Sequence, residues 1–229
     1  MSCILHIETS TDVCSVAVSK DGECVFERAD FDGPNHAVSL GTFVDEALSF
    51  ADMRLLDLDA VAVSQGPGSY TGLRIGVSMA KGVCYGRGLR LLSVPTLQLL
   101  CVPVLLGDKV PEDALLCPML DARRMEVYSA LYDRSLKEVR NVGADVVDAD
   151  TYREYLDRQK VCFFGNGADK CKDVICHPNA CFIDDVVPLA KWMFPLAERK
   201  YFDGAFEDMA YFVPFYLKDF VAKPSKKLL

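Results

Sequence analysis

Gly66-Pro67-Gly68-Ser69-Tyr70-Thr71-Gly72-Leu73-Arg74-Ile75-Gly76 follows the apolar run Ala60-Val61-Ala62-Val63. The run is apolar at every position, as expected of a strand covered on both faces and so central in its sheet. Glycine and proline then dictate a tight turn. Ser69 or Thr71 stands where a hydroxyl caps the free N–H groups of a helix reaching about Tyr85. A helix start behind a glycine-rich turn is one place where anions bind through backbone N–H groups. The stretch lacks the Gly-Lys-Ser/Thr ending of a Walker A loop and the spacing of a dinucleotide fingerprint. Along the helix Gly72, Gly76 and Ala80 recur at four-residue steps, with Cys84 one step further. Each glycine costs a helix roughly 1 kcal/mol against alanine. That cost is tolerated where another backbone comes close, either a helix of the same chain or one of another subunit.

Upstream, Ile4–Ile7 and Cys14–Val18 read as strands, and Asp21-Gly22 turns the chain into a third at Cys24-Val25-Phe26. From Asn35, Leu40, Phe43, Val44, Ala47, Leu48 and Ala51 fall at helical spacing. Downstream, a strand at Leu91–Val94 leads to a helix capped by Thr96. Residues 106–114 shift to Gly, Asp, Pro and Glu and mark a linker. A second half then begins with strands at 115–120 and 125–131 joined by Asp121-Ala122-Arg123-Arg124. It continues with a helix near 151–158, a strand at 161–164, helices near 168–174 and 188–200, and a short strand at 182–183 between them. The alternation and the composition break predict two α/β lobes, cut between residues 106 and 107, the second of them smaller.

The chain has 229 residues, a formal charge of −8 and ten cysteines. An acidic protein lacks the broad basic face that autonomous RNA binding requires, and the C-terminal Lys218, Lys223, Lys226 and Lys227 are its basic exception. No apolar run reaches the ~20 residues of a membrane span. The N-terminus has no basic region ahead of a long apolar stretch, so a cytoplasmic protein is expected. Most cysteines sit in apolar runs and read as small buried hydrophobes. Cys171, Cys176, His177 and Cys181 form a cluster whose spacing matches none of the common zinc patterns, so no metal is assigned there.

Several pieces together resemble one family. GPGSYTGLRIG at 66–76 is similar to the signature shared by TsaB and TsaD proteins, which are relatives of the actin/hexokinase/Hsp70-like (ASKHA) ATPases. Ile4–Ser10 resembles that group's phosphate hairpin, with Glu8 in place of the usual Asp. His36 opens the first helix, Leu120–Arg124 with Glu126-Val127-Tyr128 opens the second half, and Pro214–Lys218 resembles the family's terminal motif with Lys218 in place of Arg. The combination is similar to the TsaB (YeaZ) family.

That resemblance implies a degenerate two-domain ASKHA fold, with a first lobe over 1–106 completed by about 210–229 and a smaller lobe over 107–209, and a non-catalytic subunit. Its implied role is to support TsaD in transferring threonylcarbamoyl to the adenosine beside the anticodon of tRNA. It implies a TsaD-like partner, a TsaE-like P-loop ATPase in the same complex, a homodimer when the chain is alone, and tRNA contact only through the complex. ATP and a metal ion would belong to the complex, and Glu8, Thr9, Ser10 and Asp121 would be a vestigial nucleotide site. The first two helices would form the shared interface, through Gly72, Leu73, Gly76, Met79, Ala80, His36 and Leu40. The alternative is an ASKHA-type phosphotransferase or glycoprotease-like hydrolase active on its own. The three histidines His6, His36 and His177 do not form the H-x-x-x-H pair of a TsaD metal site. Asp121 and Glu8 are the only motif carboxylates available for phosphoryl transfer.

Overall fold

The computed structural model describes residues 2–33, 35–107 and 110–218. The first lobe is built on a five-stranded sheet in the order β3-β2-β1-β4-β5. Its strands are β1 (Cys3–Glu8), β2 (Cys14–Lys20), β3 (Glu23–Asp30), β4 (Ala60–Gly66) and β5 (Arg90–Pro95). The first three form an antiparallel meander, and β4 and β5 add parallel to β1. Alternation along β1 sends Leu5 and Ile7 to one face and Ile4 to the other, and both faces are covered. Helices α1 (His36–Met53) and α2 (Tyr70–Arg87) lie on the first face over Val61 and Val63. The bidentate pair of Arg87 with Asp52, both bonds 2.8 Å, ties the two helices at one end.

The second sheet has the order β10-β9-β6-β7-β8. Its members are β6 (Leu115–Asp121), β7 (Glu126–Tyr132), β8 (Glu138–Val146), β9 (Val161–Phe164) and β10 (Ala180–Ile183). Between the sheets runs α3 (Thr96–Leu106), which puts Leu99 into the first lobe's core and Leu97, Leu100 and Val104 into the second's. Apolar nearly all round, α3 is the shared spine of the two lobes.

Three expectations need correction. Two of the expected helices in the second half, near 151–158 and 168–174, shrink to α4 (Arg153–Leu156) and a 3-10 turn at Asp169–Cys171. Strand β8, absent from the sequence reading, forms the sheet's edge; five of its nine residues are exposed, so it carries little apolar signal. The chain also returns to the first lobe well before residue 210. Ala190 N donates to Ser15 Oγ at 2.9 Å. Met193 and then Ala197 of α5 (Phe194–Phe202) pack on Ile4, Ala62 and Leu92. The open second face of the first sheet is what α5 covers.

Candidate functional site

The turn after β4 is clamped to the loop after β1. Ser69 N donates to Ser10 O at 2.7 Å, and the Ser69 side chain accepts from Gly72 N at 3.3 Å as the cap of α2. Thr9 Oγ1 donates to Gly72 O at 2.8 Å. A Cβ on Gly72 would lie 2.0 Å from Thr9 O, and one on Gly76 would lie 2.2 Å from Thr9 Oγ1. The stripe Gly72, Gly76, Ala80 is therefore the bed for this chain's own β1–β2 loop and is not an intersubunit surface. Leu73, Leu40 and His36 are buried with it, and His36 Nε2 donates to Thr11 O at 2.7 Å. The close neighbour the stripe accommodates is a loop, which neither reading of the spacing had named.

Met79 alone of the seven expected interface residues lies on the open side. There the outer face of α2 and the start of α1 form a shallow groove of about 780 Å³, lined by Ala37, Arg74, Ile75, Ser78, Met79 and Gly82. A Cβ on Gly41, Gly82 or Gly86 meets nothing within 4 Å. Ser78, Gly82 and Gly86 repeat the four-residue step of the buried stripe two residues out of phase, a signal present in the sequence and passed over.

Between the lobes is a cleft of about 480 Å³. Its first wall carries Ser10 and the start of α2, its second Asp121, Arg123 and Asn166, and Tyr216 and Lys218 of the last described segment complete it. Tyr216 packs against Tyr70 with 4.7 Å between ring centroids and the rings tilted by 36°, and Lys218 pairs with Glu126. Glu8, however, is wholly buried. Its Oε1 accepts from Ser10 N at 2.5 Å, while Oε2 has no hydrogen-bond partner. Burial pushes its pKa up to about 7 against the hydrogen bonds that favour the anion. Thr9 is spent on Gly72, and Asp121 is paired with Lys170 and caps its own turn through Arg123 N. These four residues do not converge on a Mg2+–phosphate cradle: one carboxyl faces the core and the other is neutralised.

The cysteine-rich segment disperses. Cys171 is buried and donates to Gly167 O, Cys176 is exposed, and Cys181 lies on β10 opposite Cys162 of β9. His177 Nδ1 accepts from Asn179 N at 3.1 Å and its Nε2 faces Asp157 at 3.3 Å. Lys223, Lys226 and Lys227 lie outside the described residues.

Two α/β lobes joined by a shared helix, with a cleft between them, define the ASKHA-type two-domain fold. The family model for TsaD, tRNA N6-adenosine threonylcarbamoyltransferase, matches residues 32–224. The tRNA threonylcarbamoyladenosine biosynthesis protein TsaB of Bacillus subtilis is 31% identical over 175 residues, 75% of this chain and 74% of that one. The TsaB protein of Escherichia coli is 34% identical over 131 residues, 57% of this chain and 55% of that one. The solved YeaZ structure from Pseudomonas aeruginosa superposes with a TM-score of 0.75 at 24% identity, covering 95% of this chain and all of that one. The chain belongs to the TsaB (YeaZ) family. No helix among the described residues is long and apolar enough to cross a membrane.

Proposed function

We propose that this chain is the non-catalytic subunit required for threonylcarbamoyl transfer to the adenosine beside the anticodon of tRNA. It acts by binding and supporting a TsaD-like catalytic subunit. The observation that carries the reading, beside family membership, is the open groove on the outer face of α2, to which α1 contributes Ala37. An apolar groove flanked by glycines that admit close approach suits a helix of another subunit. The same face would pair two copies of the chain when the partner is absent, so the two assemblies compete. A TsaE-like P-loop ATPase joins through that complex, and nucleotide and metal are held by the other subunits.

The rival reading, an enzyme active alone, finds little support. Glu8 and Asp121 are disposed against phosphoryl transfer, as described above. Ser93 Oγ lies 3.2 Å from Lys200 Nζ, a pairing used by some hydrolases, but Ser93 is fully buried and no substrate reaches it. The test is reconstitution. With TsaD- and TsaE-family subunits, tRNA, ATP and threonylcarbamoyl-adenylate as the donor, modified adenosine should form, with release of AMP, only when this chain is added. Formation at the same rate without it overturns the proposal.

A further inference from the structure

The β6–β7 turn carries two arginines that the fold holds in place and leaves unused. Arg123 and Arg124 both adopt positive φ, 73° and 48°, a conformation that costs a non-glycine residue on the order of 1 kcal/mol or more. The turn is pinned from every side. Asp121 accepts from Arg123 N at 2.9 Å, and Asn166 Oδ1 accepts from Asp121 N at 3.0 Å. Lys170 donates to Glu126 O at 2.6 Å, and Ala122 N and Glu126 O close the turn at 3.0 Å. Both guanidiniums are exposed, and among the described residues neither has a hydrogen-bond or ion-pair partner.

The charge around them is local and positive in an acidic protein. Lys170 and Lys218 neutralise Asp121 and Glu126, so Arg123 and Arg124 are the surplus, with Asp12 the opposing charge across the cleft. The facing wall adds the N-terminus of α2, an 18-residue helix with no acidic residue in its first turn. A planar guanidinium facing a helix N-terminus suits phosphate.

We infer that the β6–β7 turn, with Arg123 on the wall of the interlobe cleft and the exposed Arg124 next to it in the chain, holds a phosphodiester of the tRNA backbone within the assembled complex. This rests on the role proposed above and adds a direct RNA contact by this subunit. Two cations on a body of charge −8 do not hold RNA alone. They act as a positioning contact once the catalytic subunit has brought the tRNA near.

The test uses the complex with a TsaD-family subunit and tRNA transcript, with affinity measured across a salt series. Arg123→Asn with Arg124→Asn suits the turn, because asparagine accepts positive φ. The double variant should still assemble, bind tRNA about tenfold more weakly, and show a log K against log salt slope shallower by about 1. Arg123→Lys with Arg124→Lys should recover most of the slope. An assembled double variant with wild-type affinity and slope overturns the inference. Independently, phenylglyoxal modification of both arginines in the wild-type complex should be suppressed by tRNA. Suppression by ATP and not by tRNA overturns the inference in favour of a nucleotide. Failure of the wild-type chain to assemble at all would instead count against the proposed role.

Discussion

Thr9 and Gly72 are joined by a hydrogen bond of 2.8 Å that leaves no room for a side chain between them. It fixes which side of α2 faces inward, and hence which side is free for a partner. Several measurable outcomes depend on it.

The inner and outer glycines of α2 should respond in opposite directions. Gly76→Leu drives atoms into Thr9 and should cost at least the 1–3 kcal/mol typical of overpacking. Gly82→Ala meets nothing within 4 Å and should gain up to about 1 kcal/mol from helix propensity. Urea unfolding of both variants checks this, and equal effects would mean the helix is rotated from its described setting.

Association should depend on the outer face. Ser78→Glu places a charge at the exposed side of the apolar groove without touching the buried stripe. It should weaken binding to the TsaD-family partner and self-association by about tenfold or more while moving the melting temperature little. Size-exclusion chromatography and calorimetry read the two quantities separately. Unchanged affinity would remove the groove from the interface.

Glu8 makes stability depend on pH in a direction opposite to the usual carboxylate. Its pKa is raised by burial from 4.5 to about 7 in the folded state. Between those values the folded chain holds the proton that the unfolded chain has released. This contribution is complete below about pH 4.5 and fades as pH rises to about 7, by on the order of 3 kcal/mol. Glu8→Gln keeps an acceptor for Ser10 N and removes the titration. Relative to wild type it should gain stability from pH 5 to pH 8, as read from urea midpoints at both values.

The edge strand β8 is held by a polar network. Asp145 pairs with Arg140 and accepts from Ser129 Oγ at 2.6 Å and from the buried Tyr152 hydroxyl at 3.2 Å. Asp145→Ala strands a half-buried guanidinium and two hydroxyls, and should cost about 2–4 kcal/mol by chemical unfolding. A loss under about 0.5 kcal/mol would mean the network is solvated.

Much of the fold was legible because its signals are local. Apolar runs marked β1, β4, β6 and β9, Asp21-Gly22 marked the first hairpin, and helical spacing marked α1 and α2. Strand β8 escaped because an edge strand needs few apolar residues and Gly143 interrupts it. The candidate site was legible in kind and mistaken in direction. Spacing reveals that a helix face is narrow, but what lies against it is a long-range contact, here between residues 9 and 72. Glu8 likewise shows in sequence as a motif carboxylate, while its inward orientation follows from strand alternation and the closing of α5 and α3 over that face.

The late return of the chain through α5 bears on how the protein emerges from the ribosome. Ile4, Ala62 and Leu92 are translated early, yet Met193 and Ala197, part of their cover, come only after the whole second lobe. For most of synthesis the first sheet has one face incompletely clad, an apolar surface open to chaperones and to other nascent chains. Translation arrested anywhere between residues 107 and 189 should therefore yield a sticky product, and release beyond Phe202 a soluble one.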